Sequence, residues 1–270
     1  MATKSLPQLI VYRGFNTPGC HVWSPFVNKL ETRLRLADIR YTTEPGSLRQ
    51  APRGKIPYIA VHDQAGSDPE LLGDTVLITR RLIDNGLIKD LNTDLTPAQL
   101  AQDLAVRALL EDKLFFYLTR ERWIDNYYTM RDGAMAAIPF ALRFFIGQLA
   151  YRNVTRALHG QGTGRYTTEE IREFKLEAWE GLNTFLTEAR NSPDSLAARS
   201  GDANAPFWVL GCAEPSEADA TVYGFLAAAL VCPAAPETQR VVRGFPVLVD
   251  YARRIHGRYF REYELWADKV

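Results

Sequence analysis

The sequence lacks an excess of charge of either sign, and it has few cysteines. Lysine plus arginine and aspartate plus glutamate both number 32, so we expect no basic surface for nucleic acid or for an anionic membrane. Cys20, Cys212 and Cys232 are too scattered for a disulfide framework, and no Cys/His cluster has zinc spacing. Nor does the chain start with the pattern of a secretory leader. These absences favour a cytoplasmic protein without a bound metal and without stable membrane insertion.

Long hydrophobic runs are also missing. Residues 133–151 are apolar but contain Pro139 and Arg143, and residues 221–235 are shorter than the roughly 18–20 residues that a membrane span needs. Both stretches are therefore predicted to be buried helices.

The first ninety residues alternate between strand-like and helix-like patterns. We predict strands around residues 9–12, 39–42, 55–62 and 70–73, and helices from Pro25 to about Ala37 and from Thr75 to near Asn85. The turn-rich segment "DQAGSD" (63–68) joins the last two strands. The order β-α-β-β-β-α is one crossover unit followed by a hairpin and a closing helix, which is the arrangement of a thioredoxin-like domain.

Everything after about residue 93 has helical character. We predict helices over residues 97–130, 137–158, 167–190, 217–231 and 246–257, a polar loop over 191–206 and a short extended piece at "FWVLG" (207–211). Ser216 and Asp219 have the spacing of a capping box, which indicates a structural role. The chain is therefore predicted to have two domains, an α/β domain over residues 1–92 and an all-α domain over residues 93–270.

Within this layout, six motifs resemble one protein family. They are "SPFVNKLETRLRLADIRY", "RGKIPYI", "ERWIDNYY", "HGQGTGRYTTEEI", "EADATVYGFLA" and "YARRIHGRYF". Together they resemble the Fax (failed axon connections)/metaxin-like branch of the glutathione transferase superfamily, from about residue 8 to residue 263. The resemblance implies the glutathione transferase fold, with a thioredoxin-like amino-terminal domain that binds glutathione. It also implies an all-helical carboxy-terminal domain that forms the acceptor-substrate pocket, a small hydrophobic electrophile as the second substrate, and a homodimer.

The same resemblance assigns glutathione contacts to five residues. Pro57 is expected to follow a cis bond, so that the backbone of Ile56 faces the cysteinyl part of glutathione. Lys55 lies where the superfamily often has a polar side chain near the glycyl carboxylate, although an ordinary surface lysine fits equally well. Asp74 and Thr75 begin a helix, whose free N–H groups and dipole favour the γ-glutamyl carboxylate. The Thr75 hydroxyl adds a donor, and Asp74 faces the α-amino group.

Ser24-Pro25, in "NTPGCHVWSPFVNKLE" (residues 16–31), is an ordinary helix start, with serine at the N-cap and proline in the first turn. In the fold that the chain resembles, this position faces the sulfur of glutathione. A hydroxyl donor and the helix dipole together lower the pKa of a thiol and stabilise its thiolate, which is the nucleophile. Ser24 is therefore the predicted catalytic residue, as a hydrogen-bond donor.

Three nearby residues compete for this role. The Tyr12 phenol could be the donor, as in tyrosine-type transferases. The Cys20 thiol could form a mixed disulfide with glutathione. His21 could act as a general base, although a lone loop histidine is usually exposed. Trp23 is expected to be a core or rim aromatic.

A set of aromatic residues in the helical region has helical spacing and is predicted to be mostly core, with some of those in 115–128 lining the acceptor pocket. They are Phe115, Phe116, Trp123, Tyr127, Tyr128, Phe144 and Phe145.

The leading hypothesis is a glutathione transferase-like enzyme that activates the glutathione thiol for attack on small electrophiles. Conjugation is the expected reaction, with peroxide reduction or thiolysis as related reactions of the same thiolate. Two alternatives remain: a non-catalytic glutathione-binding or adaptor protein of the metaxin/Fax type, and a thiol-disulfide oxidoreductase that depends on Cys20.

Overall fold

A four-stranded sheet organises the amino-terminal region of the computed structural model, which describes residues 7–62, 68–202 and 204–267. The strands are β1 (Gln8–Tyr12), β2 (Tyr41–Glu44), β3 (Tyr58–His62) and β4 (Glu70–Gly73), in the order β2-β1-β3-β4. β1 is parallel to β2 and antiparallel to β3, and β3 is antiparallel to β4. The predicted crossover unit and hairpin are confirmed. Most of the predicted turn at 63–68 lies outside the described residues.

Two helices complete this region: α1 (Pro25–Leu36) and α2 (Thr75–Asp84). Leu30 and Leu34 of α1 and Ile78 of α2 pack with the buried side chains of β1 and β3 in one apolar core. β3 is buried over most of its length, as expected of a central strand covered on both faces.

The rest of the chain is helical. Its helices are α3 (Pro97–Ala108), α4 (Phe115–Arg120), α5 (Tyr127–Ala134), α6 (Phe140–Gln161), α7 (Thr168–Asn191), α8 (Leu196–Ser200), α9 (Glu217–Val231), α10 (Pro236–Arg243) and α11 (Pro246–Tyr259). Two π-helical segments, Leu109–Leu114 and Glu121–Asp125, join α3, α4 and α5. The fold class, a thioredoxin-like region followed by a helical region, is confirmed.

Local predictions differ from the structure at four places. α8 lies inside the predicted loop, and α10 has no predicted counterpart. The predicted extended piece "FWVLG" turns at Val209 and Leu210, where the N–H of Val209 donates to the Asp219 carboxylate at 2.7 Å. α11 continues past Gly257, since an exposed glycine costs a helix only about 1 kcal/mol.

Helix α9 is buried on all sides and forms the centre of the helical core, which confirms the prediction for that apolar stretch. The predicted capping box is present. The Asp219 carboxylate accepts from the N–H of Ser216 at 2.8 Å and from the hydroxyl of Tyr251 at 2.8 Å. Because a buried carboxylate is stable only when it is hydrogen-bonded, this contact fixes where α9 starts.

The prediction of a buried helix over residues 133–151 is wrong for α6. This helix packs against Tyr127 and Arg131 of α5 at Gly147; Leu158 is also buried, and most of the other apolar side chains of α6 are exposed. The exposed large apolar side chains are Phe140, Leu142, Phe144, Phe145, Ile146 and Leu149. The core is already filled by α7, α9 and α11, so α6 has no interior face left. Among the described residues, no single helix has the length and hydropathy of a membrane span, although α9 and α10 together do as a pair bent by 117°.

Helix α1 also packs directly on α9, which ties the two regions together. A Cβ on Gly224 would lie 2.6 Å from the Pro25 carbonyl oxygen and 2.6 Å from the Lys29 nitrogen, so the two backbones touch there. Charged side chains of α1 are buried at this contact: Lys29 Nζ lies 2.6 Å from Glu111 Oε1, and Arg33 pairs with Glu217 at 2.6 Å. The contact holds the amino-terminal end of α1 against the helical region.

Candidate active site

Strand register brings two of the predicted binding segments to the same end of the sheet. Tyr58, the first residue of β3, is paired with Tyr12 on one side and with Gly73 on the other. Ile56-Pro57 therefore enters the sheet beside the chain segment that leaves it at Asp74. This end of the sheet therefore brings the backbone before β3 next to the start of α2.

The peptide bond between Ile56 and Pro57 is cis, as the motif predicts. Ile56 lies outside β3, and no turn or loop hydrogen bond among the described residues uses its N–H or its C=O. The Ile56 side chain lies against Gly14, where a Cβ would be 3.0 Å from Ile56 Cδ1. Lys55 is exposed in the preceding loop. The backbone of Ile56 is thus free to bind a ligand, and the exposed Lys55 precedes it in the chain.

The start of α2 has a strained backbone. Asp74 has φ 76° and ψ 121°, a conformation that is rare for residues other than glycine and that concentrates at functional sites. Its carboxylate accepts from the N–H groups of Val76 and Leu77 at 3.0 and 3.2 Å. Two of the N–H groups predicted to be free are therefore capped by the protein itself. The N–H and the hydroxyl of Thr75 have no hydrogen-bond acceptor within the described parts of the chain.

Ser24 is the N-cap of α1. Its Oγ accepts from the N–H of Val27 at 3.4 Å, and Pro25 occupies the first turn. A serine hydroxyl has one hydrogen to donate besides its acceptor lone pairs, so this cap leaves the O–H of Ser24 unused. The half-buried hydroxyl and the positive end of the α1 dipole can stabilise an anion together. In the structure as described, no hydrogen bond joins Ser24 to Asp74 or Thr75.

The loop before Ser24 is held by two buried side chains. The carboxamide of Asn28 accepts from the N–H of Val22 at 3.2 Å and donates to its carbonyl at 2.9 Å. The guanidinium of Arg13 donates to the carbonyl oxygens of Thr17 and Cys20 at 2.9 and 2.5 Å. These hydrogen bonds fix the loop that leads to the start of α1. Neither Asn28 nor Arg13 was predicted from the sequence to have this role.

Tyr12 packs as a strand tyrosine. Its ring stacks on Tyr58 with centroids 4.3 Å apart, and Gly46 fits against it so closely that a Cβ there would lie 2.7 Å from Tyr12 Cβ. Burial, then the nearby Glu44 carboxylate, raises the pKa of the Tyr12 phenol.

Cys20 lies beside the carboxy-terminal segment. It forms an isolated β-bridge with Glu264, and its Sγ is 3.6 Å from Glu264 Oε2. Burial and the Glu264 carboxylate raise the pKa of the Cys20 thiol. Because the thiolate is the reactive form, this environment disfavours redox chemistry at Cys20.

His21 is buried, contrary to the expectation of an exposed loop histidine. Its Nε2 lies 3.1 Å from His256 Nδ1 and 3.1 Å from the Tyr223 hydroxyl, and the rings of Phe260 and Tyr263 close the site. Burial, followed by His256, lowers the pKa of His21 to about 3. The prediction failed because these partners come from the other end of the chain.

Trp23 is half-buried at the boundary between the two regions. Its indole fills a slot on α5, where a Cβ on Gly133 would lie 1.8 Å from the ring, and its ring centroid is 5.9 Å from that of Phe15. Its carbonyl oxygen accepts from Nη1 of Arg122 at 2.8 Å. Arg122 lies in the quoted motif "ERWIDNYY", but nothing in that string marks it apart from its neighbours.

Part of the predicted aromatic set lies near the start of α1. Phe115 packs edge-on against Phe26 at 5.0 Å between ring centroids, and Phe116 packs against Phe115 at 5.4 Å. Both are half-buried, whereas Tyr128 is 71% exposed. An apolar group bound at the start of α1 would meet Phe26 and Phe115.

Comparison with known proteins identifies related chains. Residues 25–130 match the family described as glutathione S-transferase N-terminal domain, and residues 206–255 match the glutathione S-transferase, C-terminal domain. The isoprene-epoxide–glutathione S-transferase of Rhodococcus sp. (strain AD45) is 30% identical over 87% of this chain and 92% of that protein.

Two further relatives are longer than this chain. Failed axon connections of Drosophila melanogaster is 25% identical over 66% of this chain and 44% of that protein. Human metaxin-1 is 29% identical over 78% of this chain and 42% of that protein. Among solved structures, the glutathione transferase GSTFuA3 of Phanerochaete chrysosporium has a TM-score of 0.59 at 14% identity and covers 97% of this chain, with 99% of its own length matched. That likeness concerns the fold.

Proposed function

The chain belongs to the glutathione S-transferase superfamily, in its Fax/metaxin-like branch, and from this premise we propose that it is a glutathione transferase. Glutathione is its co-substrate, and the helical region holds a small apolar electrophile. The family and the 30% identical transferase support transferase activity.

The observation that carries the proposal is the unused O–H of Ser24 at the amino-terminal end of α1. The hydroxyl accepts from Val27 and so keeps its hydrogen for a ligand. A sulfur seated there would receive one hydrogen bond and the field of the helix, and both favour its thiolate. At the start of α2, the N–H and the hydroxyl of Thr75 can each donate a hydrogen bond, and both suit the γ-glutamyl carboxylate.

The proposed reaction is attack of the thiolate on an electrophilic carbon. The Rhodococcus relative is named for an epoxide, and an epoxide illustrates the balance. The sulfur–carbon bond forms with the electron pair of the thiolate, the carbon–oxygen bond breaks, and the released alkoxide takes a proton from water. Phe26 and Phe115 would contact the apolar part of the electrophile. Peroxide reduction and thiolysis would begin with the same thiolate.

Similarity to metaxin-1 and to failed axon connections supports a second candidate, a glutathione-binding or adaptor protein without turnover. The exposed apolar face of α6 is the specific feature that favours it, because such faces mark contacts with other proteins. A homodimer would use this face equally well.

We propose that the protein is a homodimer in the cytoplasm. Sedimentation of the purified chain tests the oligomeric state.

The experiment that separates these candidates combines retention on immobilised glutathione with turnover of model electrophiles, epoxides included. We expect retention and turnover in the wild type, turnover lowered about tenfold to a hundredfold in Ser24→Ala through loss of one hydrogen bond to a charged sulfur, and little change in Cys20→Ser. Retention without turnover of any electrophile would favour the binding protein. Activity lost in Cys20→Ser and kept in Ser24→Ala would favour the oxidoreductase.

A further inference from the structure

Arg122 carries a buried positive charge without a counter-ion. Its side chain lies in the π-helical segment Glu121–Asp125 and is 5% exposed. Of its guanidinium nitrogens, Nη1 donates to the Trp23 carbonyl, whereas Nε and Nη2 are buried and have no hydrogen-bond partner. Within the described residues, no carboxylate lies within 4 Å of it.

The other buried arginines among the described residues, Arg13 and Arg33, each pair with a carboxylate. Arg13 lies 3.3 Å from Glu31, and Arg33 lies 2.6 Å from Glu217. An unpaired buried cation is strongly unfavourable for folding, and an unsatisfied buried polar group of this kind requires an explanation. A π-helical segment is also a frequent feature of functional sites. Arg122 thus differs from the structural arginines.

The position of Arg122 suggests the explanation. Its hydrogen bond ends on the peptide unit that directly precedes Ser24, the N-cap of α1. The Trp23 indole packs against Gly133 of α5, which places the Trp23 backbone at the boundary between the two regions. The guanidinium is therefore fixed beside the end of α1 where the glutathione sulfur is expected.

Neighbouring charges do not cancel its field. The carboxylate of Glu121, the preceding residue, is bonded to Lys175 at 2.5 Å and to the Thr238 hydroxyl at 2.5 Å. Cys232, at the end of α9, is the titratable group that faces Arg122 from the packed helix. Burial raises the pKa of its thiol, although Arg122 acts in the opposite direction, so Cys232 stays neutral at neutral pH.

We propose that Arg122 is a positioning residue for the transferase reaction, and that its buried charge favours the thiolate of bound glutathione without contacting the sulfur. The inference rests on the proposed function. Arg122 fixes the Trp23 carbonyl and adds a positive charge to the dipole of α1. The thiol of glutathione loses its proton to water, and the resulting anion is stabilised by the Ser24 hydroxyl and by the guanidinium field.

The test measures ionisation of bound glutathione by the ultraviolet absorbance of its thiolate against pH, in wild type, Arg122→Gln and Arg122→Lys. Glutamine keeps a donor for the Trp23 carbonyl but removes the charge, whereas lysine keeps the charge. We expect the pKa of the bound thiol to rise by about one unit in Arg122→Gln, a tenfold change in ionisation, and to move by a few tenths in Arg122→Lys. Arg120→Gln is the matched control, because Arg120 lies two residues before Arg122, at the end of α4, and its charge is paired with Asp125.

Thermal unfolding supplies the second readout, with Arg122→Met as a further variant. Removing an unpaired buried cation should leave the ligand-free protein as stable as the wild type or more so, whereas glutathione should stabilise the wild type more than the variant. If Arg122→Gln and Arg122→Met both fail to fold, Arg122 is structural and the inference is wrong. If wild type binds glutathione with a lowered thiol pKa that Arg122→Gln does not change, this inference alone is overturned. If wild type does not bind glutathione, the proposed function fails as well.

Discussion

The buried histidine beside the candidate site makes the stability of the fold depend on pH. Burial, then His256, Arg13 and Arg35, lowers the pKa of His21 from 6.5 to about 3. The folded protein therefore holds a neutral imidazole, whereas the unfolded chain takes up a proton below pH 6.5. The stability contributed by the neutral form is complete above pH 6.5 and is lost as the pH falls towards about 3.

The magnitude follows from the proton linkage. Each pH unit between these two pKa values costs about 1.4 kcal/mol, so lowering the pH from 6.5 to about 4.5 should remove about 3 kcal/mol through His21 alone. The pKa of His256 is also lowered, mainly by burial, and it adds a loss of the same sign. Tyr263, whose ring packs on His21, donates its hydroxyl to the Glu31 carboxylate at 2.8 Å.

The change to make is His21→Gln, which keeps polar contacts to Tyr223 and His256 but does not titrate. Urea unfolding at about pH 7.5 and at about pH 4.5 gives the loss of free energy of unfolding for each protein. Wild type should lose about 3 kcal/mol more than His21→Gln over this interval. His159→Gln is the matched control, because His159 is exposed on α6 and should not change the loss. Equal losses in wild type and His21→Gln would refute the assignment of a buried neutral imidazole.

Two further predictions concern the supports of the site. Gly224→Ala should destabilise the fold by about 1–3 kcal/mol or more and reduce turnover, because the new Cβ would meet backbone atoms of Pro25 and Lys29 at 2.6 Å; unchanged thermal stability would contradict this contact. Thr75→Val should weaken glutathione binding about tenfold or more in calorimetry by removing a donor to a carboxylate. The control Thr79→Val should not, since the Thr79 hydroxyl donates only to the Thr75 carbonyl, at 2.9 Å.

Much of the fold could be predicted from the sequence because its signals are local. The buried strand at Leu9–Tyr12, the Ser24-Pro25 helix start and the Ser216–Asp219 capping box each involve residues close together in the chain, and the structure contains all three. The cis bond before Pro57 was predictable from its motif.

Features that depend on distant partners were not predictable. From the sequence, His21 is expected to be an exposed loop residue, because its partner His256 lies 235 positions away in the chain. The proposed role of Arg122 depends on its hydrogen bond to the carbonyl of Trp23, 99 positions away, which the sequence does not reveal. The exposure of α6 follows from the other helices already filling the core. For the candidate site, the two helix starts and Pro57 could be predicted from the sequence. The side chains that hold the loop before α1, such as Asn28 and Arg13, could be identified only from the structure.

The pKa of the thiol of glutathione bound to wild type and to Ser24→Ala shows directly whether the start of α1 stabilises the thiolate. We predict that glutathione bound to wild type ionises well below the value of about 8.5 for a free thiol. In Ser24→Ala the pKa should rise by about one unit or more, while the affinity for glutathione changes little. A bound thiol that ionises like free glutathione in wild type, or identically in both proteins, would contradict the claim that the start of α1 stabilises the thiolate.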